Sequence, residues 1–222
     1  LAPGQLNDIL AEEKMCHKVV GPSLEIVGDR KTMIFGAGCL QSRKMADIIN
    51  RHKPGAALYI DGGTPHDERA EELKRFARGD YQFLVSCHVF TEGYDEPTVE
   101  CVVQARPTKS RMLYAQMAGR GTRVLPGVIE GLGAAPDWCD TEITAGGVWR
   151  IKSAEDRRKA IERSAKPKLL LIDFVGNSGK HKLVYAGDML GGHYSDEEIQ
   201  QANQQMQESP GPVEVSEALV KA

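Results

Sequence analysis

The sequence has no uninterrupted run of about 20 apolar residues, which is the length that a helix needs to cross a membrane. It also does not open with a basic stretch followed by an apolar one, the pattern of a secretory signal. These two absences predict a protein that neither spans a membrane nor is exported. We therefore expect a cytoplasmic protein with no membrane partner.

A paired spacing of cysteines is also missing. The sequence never contains C-x-x-C, and this argues against both a disulfide framework and a zinc site. Two cysteines are followed by histidine, but adjacent side chains on a strand point to opposite faces of a sheet. We therefore predict no metal site and a reducing compartment. The cysteines are odd in number and scattered: Cys16, Cys39, Cys87, Cys101 and Cys139.

Acidic residues are absent between Glu100 and Glu130, although the whole chain carries a formal net charge of -3. That net charge predicts no general attraction to polyanions, so any contact with nucleic acid must come from a local basic patch. Without further spacing information, a solvated basic helix face would explain such a patch. The basic residues in this acid-free stretch are Arg106, Lys109, Arg111, Arg120 and Arg123.

Short apolar segments alternate with segments of helical periodicity. This alternation is typical of an α/β fold in which helices cover both faces of a mostly parallel sheet. The helix that follows the second strand has the clearest start signal, with Thr64 expected as its N-cap and Pro65 at its first position. The predicted strands are 32–36, 57–60, 82–86, 100–104 and 168–174, and the predicted helices are about 6–18, 40–52, 66–77, 110–118, 153–164 and 195–206.

Composition divides the chain into three parts. Residues 1–28 are expected to form a helical linker, and residues 29–194 the α/β domain. Within the domain, the segment 126–147 is rich in glycine and proline, shows no periodicity and is interpreted as an exposed insertion. Residues 195–222 are polar and are predicted to form a C-terminal helix and tail. Because the sequence begins with Leu1, not methionine, we expect it to be a piece of a longer protein.

The strongest functional signal is the sequence Q-x-x-G-R-x-x-R at residues 116–123. If the predicted helix continues through it, Gln116, Arg120 and Arg123 have the spacing i, i+4, i+7 and lie on one stripe. Two guanidinium groups on one helix edge repel each other unless an anion lies between them. Their planar forks suit a polyphosphate better than a single carboxylate. The nearby sequence offers no acidic residue to pair with them.

This sequence resembles motif VI of the superfamily 2 helicases. The resemblance implies a RecA-like C-terminal lobe whose arginines reach across a cleft to ATP that is held by another lobe. It makes Arg123 the main arginine finger and Arg120 its partner, and it links Gln116 to the nucleotide machinery of the first lobe. These three side chains are the predicted catalytic group, and the resemblance places Gly119 beside the nucleotide.

A second match follows the predicted strand 82–86, where residues 89–97 (VFTEGYDEP) resemble motif V of the same family. The resemblance implies that Thr91 and Gly93 contact the nucleic-acid backbone and that Gly93 and Asp95 lie near the nucleotide. Loops at the carboxyl ends of parallel strands commonly bind ligands, so the position of the segment agrees with this role. Alone, T-x-G-x-D is equally compatible with an ordinary turn, and its neighbour motif VI favours the helicase interpretation.

Weaker matches surround these two motifs. Residues 33–36 occupy the place of motif IV, and the D-G-G-T sequence at 61–64 resembles a family segment in which Gly63 and Thr64 would bind a nucleic-acid phosphate at a helix N-terminus. Lys109, just before motif VI, is a further predicted nucleic-acid contact. The sequences near motif VI and after the last strand look like those of restriction-enzyme and phage-type helicases. That subgroup favours DNA as the partner and leaves RNA open.

A phosphate-binding loop of the form G-x-x-x-x-G-K-S/T is absent from the sequence. The nearest candidate, GNSGKH at 176–181, is two residues too short and ends in His181, where serine or threonine would bind magnesium. The resemblance therefore implies that ATP and magnesium are bound mainly by an N-terminal RecA-like lobe that precedes this chain. We expect the chain alone to hydrolyse essentially no ATP, although it belongs to an ATP-dependent helicase.

Two other interpretations stay open. A dinucleotide-binding oxidoreductase domain would use Gly36 and Gly38 after the first strand and Asp61 after the second, although Gln41 stands where the third glycine is needed. That interpretation leaves the arginines unexplained. A nucleic-acid clamp with no ATP role would bind DNA in a salt-sensitive manner and would keep its activity when Arg123 is removed.

Overall fold

The computed structural model describes residues 3–87, 94–108, 110–174, 194–209, 213–214 and 218. The described helices are α1 (Pro3–Leu10), α2 (Glu13–Val27), α3 (Cys39–His52), α4 (His66–Arg78), α5 (Arg111–Gly119), α6 (Ala154–Glu162) and α7 (Asp196–Glu208). The described strands are β1 (Thr32–Gly36), β2 (Ala57–Ile60), β3 (Phe83–Ser86), β4 (Cys101–Ala105), β5 (Glu130–Gly131), β6 (Thr141–Ile143), β7 (Trp149–Ile151) and β8 (Leu170–Asp173).

The central sheet contains all of the predicted strands. Its order is β2-β3-β1-β4-β8, and every neighbouring pair is parallel. Parallel neighbours require a crossover connection, which α3, α4 and α5 provide. The carboxyl ends of the strands consequently meet at one edge of the sheet, and the predicted α/β architecture is confirmed.

Successive side chains of each central strand enter two different cores, because side chains on a strand alternate between the faces of the sheet. Ile34, Val85 and Val103 pack into the core that α2 and α3 cover. The neighbouring residues Met33, Leu84 and Val102 pack into the other core, which includes Phe76 of α4 and Met117 of α5. Both faces are therefore covered, which explains why these strands read as continuous apolar runs.

Helix α2 belongs to the core of the domain and is not a linker, which corrects the expectation for residues 1–28. Cys16, Val20 and Val27 are completely buried and share a cluster with Ile34 of β1 and Met45 of α3. The apolar positions of α2 have helical spacing, which is equally typical of a solvated linker helix with one apolar side. Contacts with Ile34 and Met45, which follow α2 in the sequence, distinguish a core helix from a solvated linker helix.

The glycine-rich insertion and the residues just after it form regular structure that the sequence did not indicate. Strands β5, β7 and β6 form a three-stranded antiparallel sheet beside α6. Trp149 and Ile151 of β7 are buried in a small cluster with Ala160 of α6. Strands of two or three residues are too short to show a period, and this is why the segment looked irregular.

Helix α4 begins at His66, as the predicted range 66–77 has it, but its N-cap lies one position later than predicted. Pro65 is its N-cap residue, and no side chain caps the helix there. The Thr64 hydroxyl instead accepts a hydrogen bond from the Asp61 amide at 3.2 Å, inside the preceding turn. In the described ranges, no helix is both long enough and apolar enough to cross a membrane.

We predict that Tyr114→Phe lowers the free energy of unfolding by about 1–2 kcal/mol, because a hydrogen bond to a charged group is lost. Tyr114 is 1% exposed, and its hydroxyl donates to Asp173 Oδ2 at 2.8 Å, which joins α5 to β8. The melting temperature should fall by roughly 3–6 °C. Tyr194→Phe, at a residue that is 36% exposed, is the control. Equal melting temperatures for the two variants would contradict the prediction.

Candidate functional site

Motif VI does not form one continuous helical stripe. Helix α5 ends at Gly119, and Arg120 is its C-cap residue. The amides of Arg120 and Gly121 bond back only three residues along the chain, at 3.2 and 3.1 Å, which tightens the final turn. Arg123 therefore lies beyond the helix, and the predicted helical alignment of Gln116 with both arginines is not formed.

Gly121 allows the chain to leave α5 close to the sheet. A Cβ atom at this position would overlap Leu169 Cδ1 and would lie 3.0 Å from Val102 Cγ2. A larger residue would push this turn away from β4 and from the residue that precedes β8. The position of Gly121 directly after the first arginine of the motif is the sequence signal for this close approach.

The two arginines converge on the end of motif V. Arg120 Nη1 donates to the Tyr94 carbonyl oxygen at 2.6 Å, and Arg123 Nε lies 3.2 Å from Asp95 Oδ1. The side chains of Arg123 and Asp95 are 65% and 47% exposed, so this ion pair faces solvent. The structure thus brings together Arg120, Arg123 and Asp95, which the sequence assigned to one site. It also corrects the expectation that no acidic residue is available to pair with the arginines.

Lys166 holds the backbone on both sides of the Arg123–Asp95 pair. The residue is only 8% exposed, and its Nζ donates to the carbonyl oxygens of Pro97 and Arg123, each at 2.7 Å. Burial lowers the pKa of Lys166, and the nearby carboxylates oppose this shift. A buried lysine is costly unless its donors are used, so its two carbonyl partners are a specific arrangement. No pattern in the sequence points to Lys166, because its partners belong to distant segments.

The arginines and the carboxyl edge of the sheet lie at opposite ends of α5. The helix starts after the carboxyl end of β4, where Tyr114 contacts Asp173. It ends where Gly121 approaches Val102 and Leu169, near the amino-terminal ends of β4 and β8. The described contacts of the arginines therefore lie away from the carboxyl edge, and the predicted residues divide into two surfaces.

The loop 61–64 lies at the carboxyl edge, after β2, and is organised by its own carboxylate. Asp61 Oδ1 accepts a hydrogen bond from the Gly63 amide at 2.8 Å, and Tyr59 donates to Asp61 Oδ2 at 2.7 Å. The hydrogen bond from Tyr59 is the main cause of the lowered pKa of Asp61. The Gly63 amide is thus already used within the turn. The Gly63 amide can therefore contact a phosphate only if this turn opens. The Thr64 hydroxyl accepts a hydrogen bond in the turn but still has its own proton to donate to a phosphate.

Of the remaining predicted site residues, the structure describes two, which both belong to α5. Gln116 and Gly119 are both half-buried on α5. A Cβ atom added to Gly119 would meet no atom of the described chain within 4 Å, so another molecule has room to approach there. Thr91, Gly93 and Lys109 lie outside the described residues, and so does the segment 176–181.

The dinucleotide-binding alternative is excluded by the topology and by Gln41. A Rossmann unit pairs its second strand with its first, whereas β2 pairs with β3 and lies at the edge of the sheet. Gln41 is 2% exposed, and its Oε1 accepts from the Ala37 amide at 2.6 Å, in the turn that would approach a pyrophosphate. The side chain of Gln41 therefore occupies the place that the third glycine of a Rossmann turn leaves open.

This chain matches a helicase domain family and shares segments with larger proteins. The model of the helicase conserved C-terminal domain matches residues 13–124. The Saccharomyces cerevisiae protein IRC3, named as an ATP-dependent helicase, is 42% identical over 120 residues, which are 54% of this chain and 16% of the relative. The EcoKI type I restriction enzyme endonuclease subunit of Escherichia coli is 23% identical over 190 residues, 79% of this chain and 16% of the relative.

Among solved structures, a fragment from Vibrio vulnificus, named as an HsdR subunit of a type I restriction enzyme, is 18% identical with a TM-score of 0.48. The alignment covers 78% of this chain and 28% of that one. This chain therefore spans less than a third of the length of each of these three proteins.

Proposed function

Because the chain belongs to the family of the helicase conserved C-terminal domain, we propose that it is the second motor lobe of an ATP-dependent helicase or translocase. In this proposal, Arg120 and Arg123 are arginine fingers for ATP that a first RecA-like lobe binds, and a separate surface grips the nucleic-acid backbone. The observation that carries the proposal is the convergence of the two guanidinium groups on neighbouring residues, with half-buried Arg120 on the Tyr94 carbonyl and exposed Arg123 on Asp95.

The ion pair between Arg123 and Asp95 is weak enough to be exchanged for a nucleotide contact. Both side chains are substantially exposed, and such a surface pair contributes about 0–1 kcal/mol. A guanidinium bound to phosphate makes stronger, charge-assisted and often bidentate hydrogen bonds. A nucleotide held by a facing lobe could therefore replace Asp95 as the partner of Arg123 at a small cost in free energy. Asp95 would then be available to accept a hydrogen bond from a ribose hydroxyl.

The residues of this chain fit one side of an ATP site. Guanidinium forks are suitable donors for phosphate oxygens, but the sequence has no phosphate-binding loop. ATP and magnesium would accordingly be held mainly by the first lobe, where ATP supplies the phosphoryl group and magnesium neutralises part of its charge. Arg123, with Arg120 beside it, would stabilise the negative charge that develops in the transition state. Gln116 and Gly119 line the same end of α5.

Nucleic acid would cross the carboxyl edge of the sheet. The Thr64 hydroxyl lies in the loop after β2, and Thr91, Gly93 and Lys109 belong to the connections that follow β3 and β4. Contacts of these kinds recognise phosphate and sugar, so little sequence preference is expected. DNA is the proposed partner because of the resemblance to restriction-enzyme and phage-type helicases.

Helix α5 would couple the two surfaces. Its 9 residues span about 13 Å, from the carboxyl edge of the sheet to the arginines. The hydrogen bond from Tyr114 to Asp173 fixes its first half, and Lys166 fixes the chain beyond its end. When the cleft between the lobes closes on ATP, the arginines and the nucleic-acid contacts would move as one body.

The test is ATP hydrolysis by the full-length protein, measured with and without single-stranded DNA or RNA, beside the 222-residue chain alone. We expect hydrolysis by the full-length protein that nucleic acid stimulates, and essentially none by the chain alone. Steady ATP turnover by the isolated chain would contradict the proposal. Stimulation by RNA and not by DNA would overturn the choice of DNA. Salt-sensitive DNA binding in a full-length protein without ATPase activity would favour the nucleic-acid clamp.

A further inference from the structure

Two cysteines that are far apart in the sequence meet at the carboxyl edge of the sheet. Cys39 Sγ lies 2.8 Å from Cys87 Sγ, across 48 positions of sequence. Cys39 is the first residue of α3, and Cys87 directly follows β3. The two meet because β1, which leads into α3, pairs with β3 in parallel register. The absence of any C-x-x-C spacing concealed this pair.

We propose that Cys39 and Cys87 are a reversible oxidation site, at which a peroxide converts the dithiol to an intrachain disulfide. A disulfide has a sulfur–sulfur distance of about 2.0 Å, so the two sulfur atoms need to approach by only about 0.8 Å. Small rotations of the two side chains can provide such a movement without displacing β1 or β3. The geometry therefore favours a bond within the chain over one between chains.

The exposure of the two thiols assigns their roles. Cys39 is exposed, so a dissolved peroxide can reach it. Cys87 is 3% exposed, and burial raises the pKa of Cys87 to about 12, which keeps its sulfur protonated and shielded. Cys39 is therefore the sulfur that is oxidised first, and Cys87 is the one that resolves it.

The reaction balances with hydrogen peroxide as the oxidant. The Cys39 sulfur attacks one peroxide oxygen, the O–O bond breaks, and a sulfenic acid and one water form. The Cys87 sulfur then attacks the Cys39 sulfur, the S–O bond breaks, and the hydroxyl leaves as a second water with the Cys87 proton. Two thiols are oxidised and one peroxide is reduced to two waters. A dithiol reductant reverses the change by thiol–disulfide exchange.

The oxidation would act on the proposed nucleic-acid surface. Cys87 is the residue directly before the segment 88–93, which carries Thr91 and Gly93 of the motif V match. A disulfide would tie Cys87 to α3 beside the residues of these proposed contacts, and we expect it to weaken nucleic-acid binding. This consequence rests on the proposed function, whereas formation of the disulfide does not.

The test treats the 222-residue chain with hydrogen peroxide, blocks remaining thiols with N-ethylmaleimide and maps the digested peptides by tandem mass spectrometry. We expect a peptide pair joined through Cys39 and Cys87, with two hydrogens lost, that disappears after dithiothreitol. Cys39→Ser and Cys87→Ser should each abolish it, and Cys139→Ser, at a half-buried cysteine, should not. Recovery of both Cys39 and Cys87 as maleimide adducts, or a disulfide that joins two chains, would overturn the proposal.

A separate measurement addresses the functional consequence. Binding of fluorescent single-stranded DNA to the full-length protein should weaken on oxidation and recover with dithiothreitol, and the Cys39→Ser variant should not respond. If the disulfide forms but DNA affinity does not change, the effect on binding is wrong while the oxidation site stands. If the reduced protein binds no nucleic acid at all, the proposed function fails, and the peptide map still decides the oxidation site.

Discussion

Arg123→Ala in the full-length protein is expected to lower ATP turnover by about 10³–10⁵-fold, the range found when an arginine finger is removed. The guanidinium of Arg123 is exposed, and among the described residues its ion pair is the surface pair with Asp95, so its loss should not unfold the domain. The effect should appear in kcat, because the charge that Arg123 stabilises develops only in the transition state. Affinity for nucleic acid without nucleotide should be unchanged.

Two further variants make the Arg123 measurement specific. Arg158→Ala removes an exposed arginine from α6, away from motifs V and VI, and should leave turnover unchanged. Arg123→Lys keeps the charge and loses the planar fork, so we expect turnover between that of the wild type and that of the alanine variant. Turnover of Arg123→Ala within a factor of about two of the wild type would reject a finger role and favour a nucleic-acid clamp.

Lys166→Met is expected to lower kcat by about 10–100-fold, because a displacement of about 1 Å in a positioned group can cost that much. Methionine keeps an apolar stem in the buried site but cannot donate to the carbonyl oxygens of Pro97 and Arg123. The backbone that carries the Arg123 side chain then loses its anchor. Lys166 is a positioning residue in this account, since its contact is with the Arg123 backbone.

The distinction between a positioning role and a purely structural role of Lys166 needs three readouts. Lys168→Met, two positions away at an exposed residue that pairs with Glu214, is the matched control and should retain activity. The KM for ATP should change much less than kcat in Lys166→Met, and Lys166→Arg should restore part of the activity because a guanidinium can donate to both carbonyls. A loss of turnover that follows only the fraction of unfolded protein would show that Lys166 merely stabilises the fold.

The sequence alone determined the architecture, because the signals for it are local. Continuous apolar runs at β1, β3 and β4, together with helical periods after β1, β2 and β4, predict a parallel sheet that is covered on both faces. The Q-x-x-G-R-x-x-R sequence likewise indicated the family from one short stretch. The neighbouring motif V match includes Asp95, which lies beside Arg123 in the fold.

Only the tertiary structure decided how these parts meet. In the fold, α5 ends at Gly119 and Arg123 pairs with Asp95. Lys166 is buried against the backbone of Pro97 and Arg123. The tertiary structure also packs α2 into the core and brings Cys39 to Cys87. Each of these contacts joins residues that are distant in sequence. Their distances depend on strand order and loop paths, whereas hydrophobic periodicity reports only which side of an element is buried.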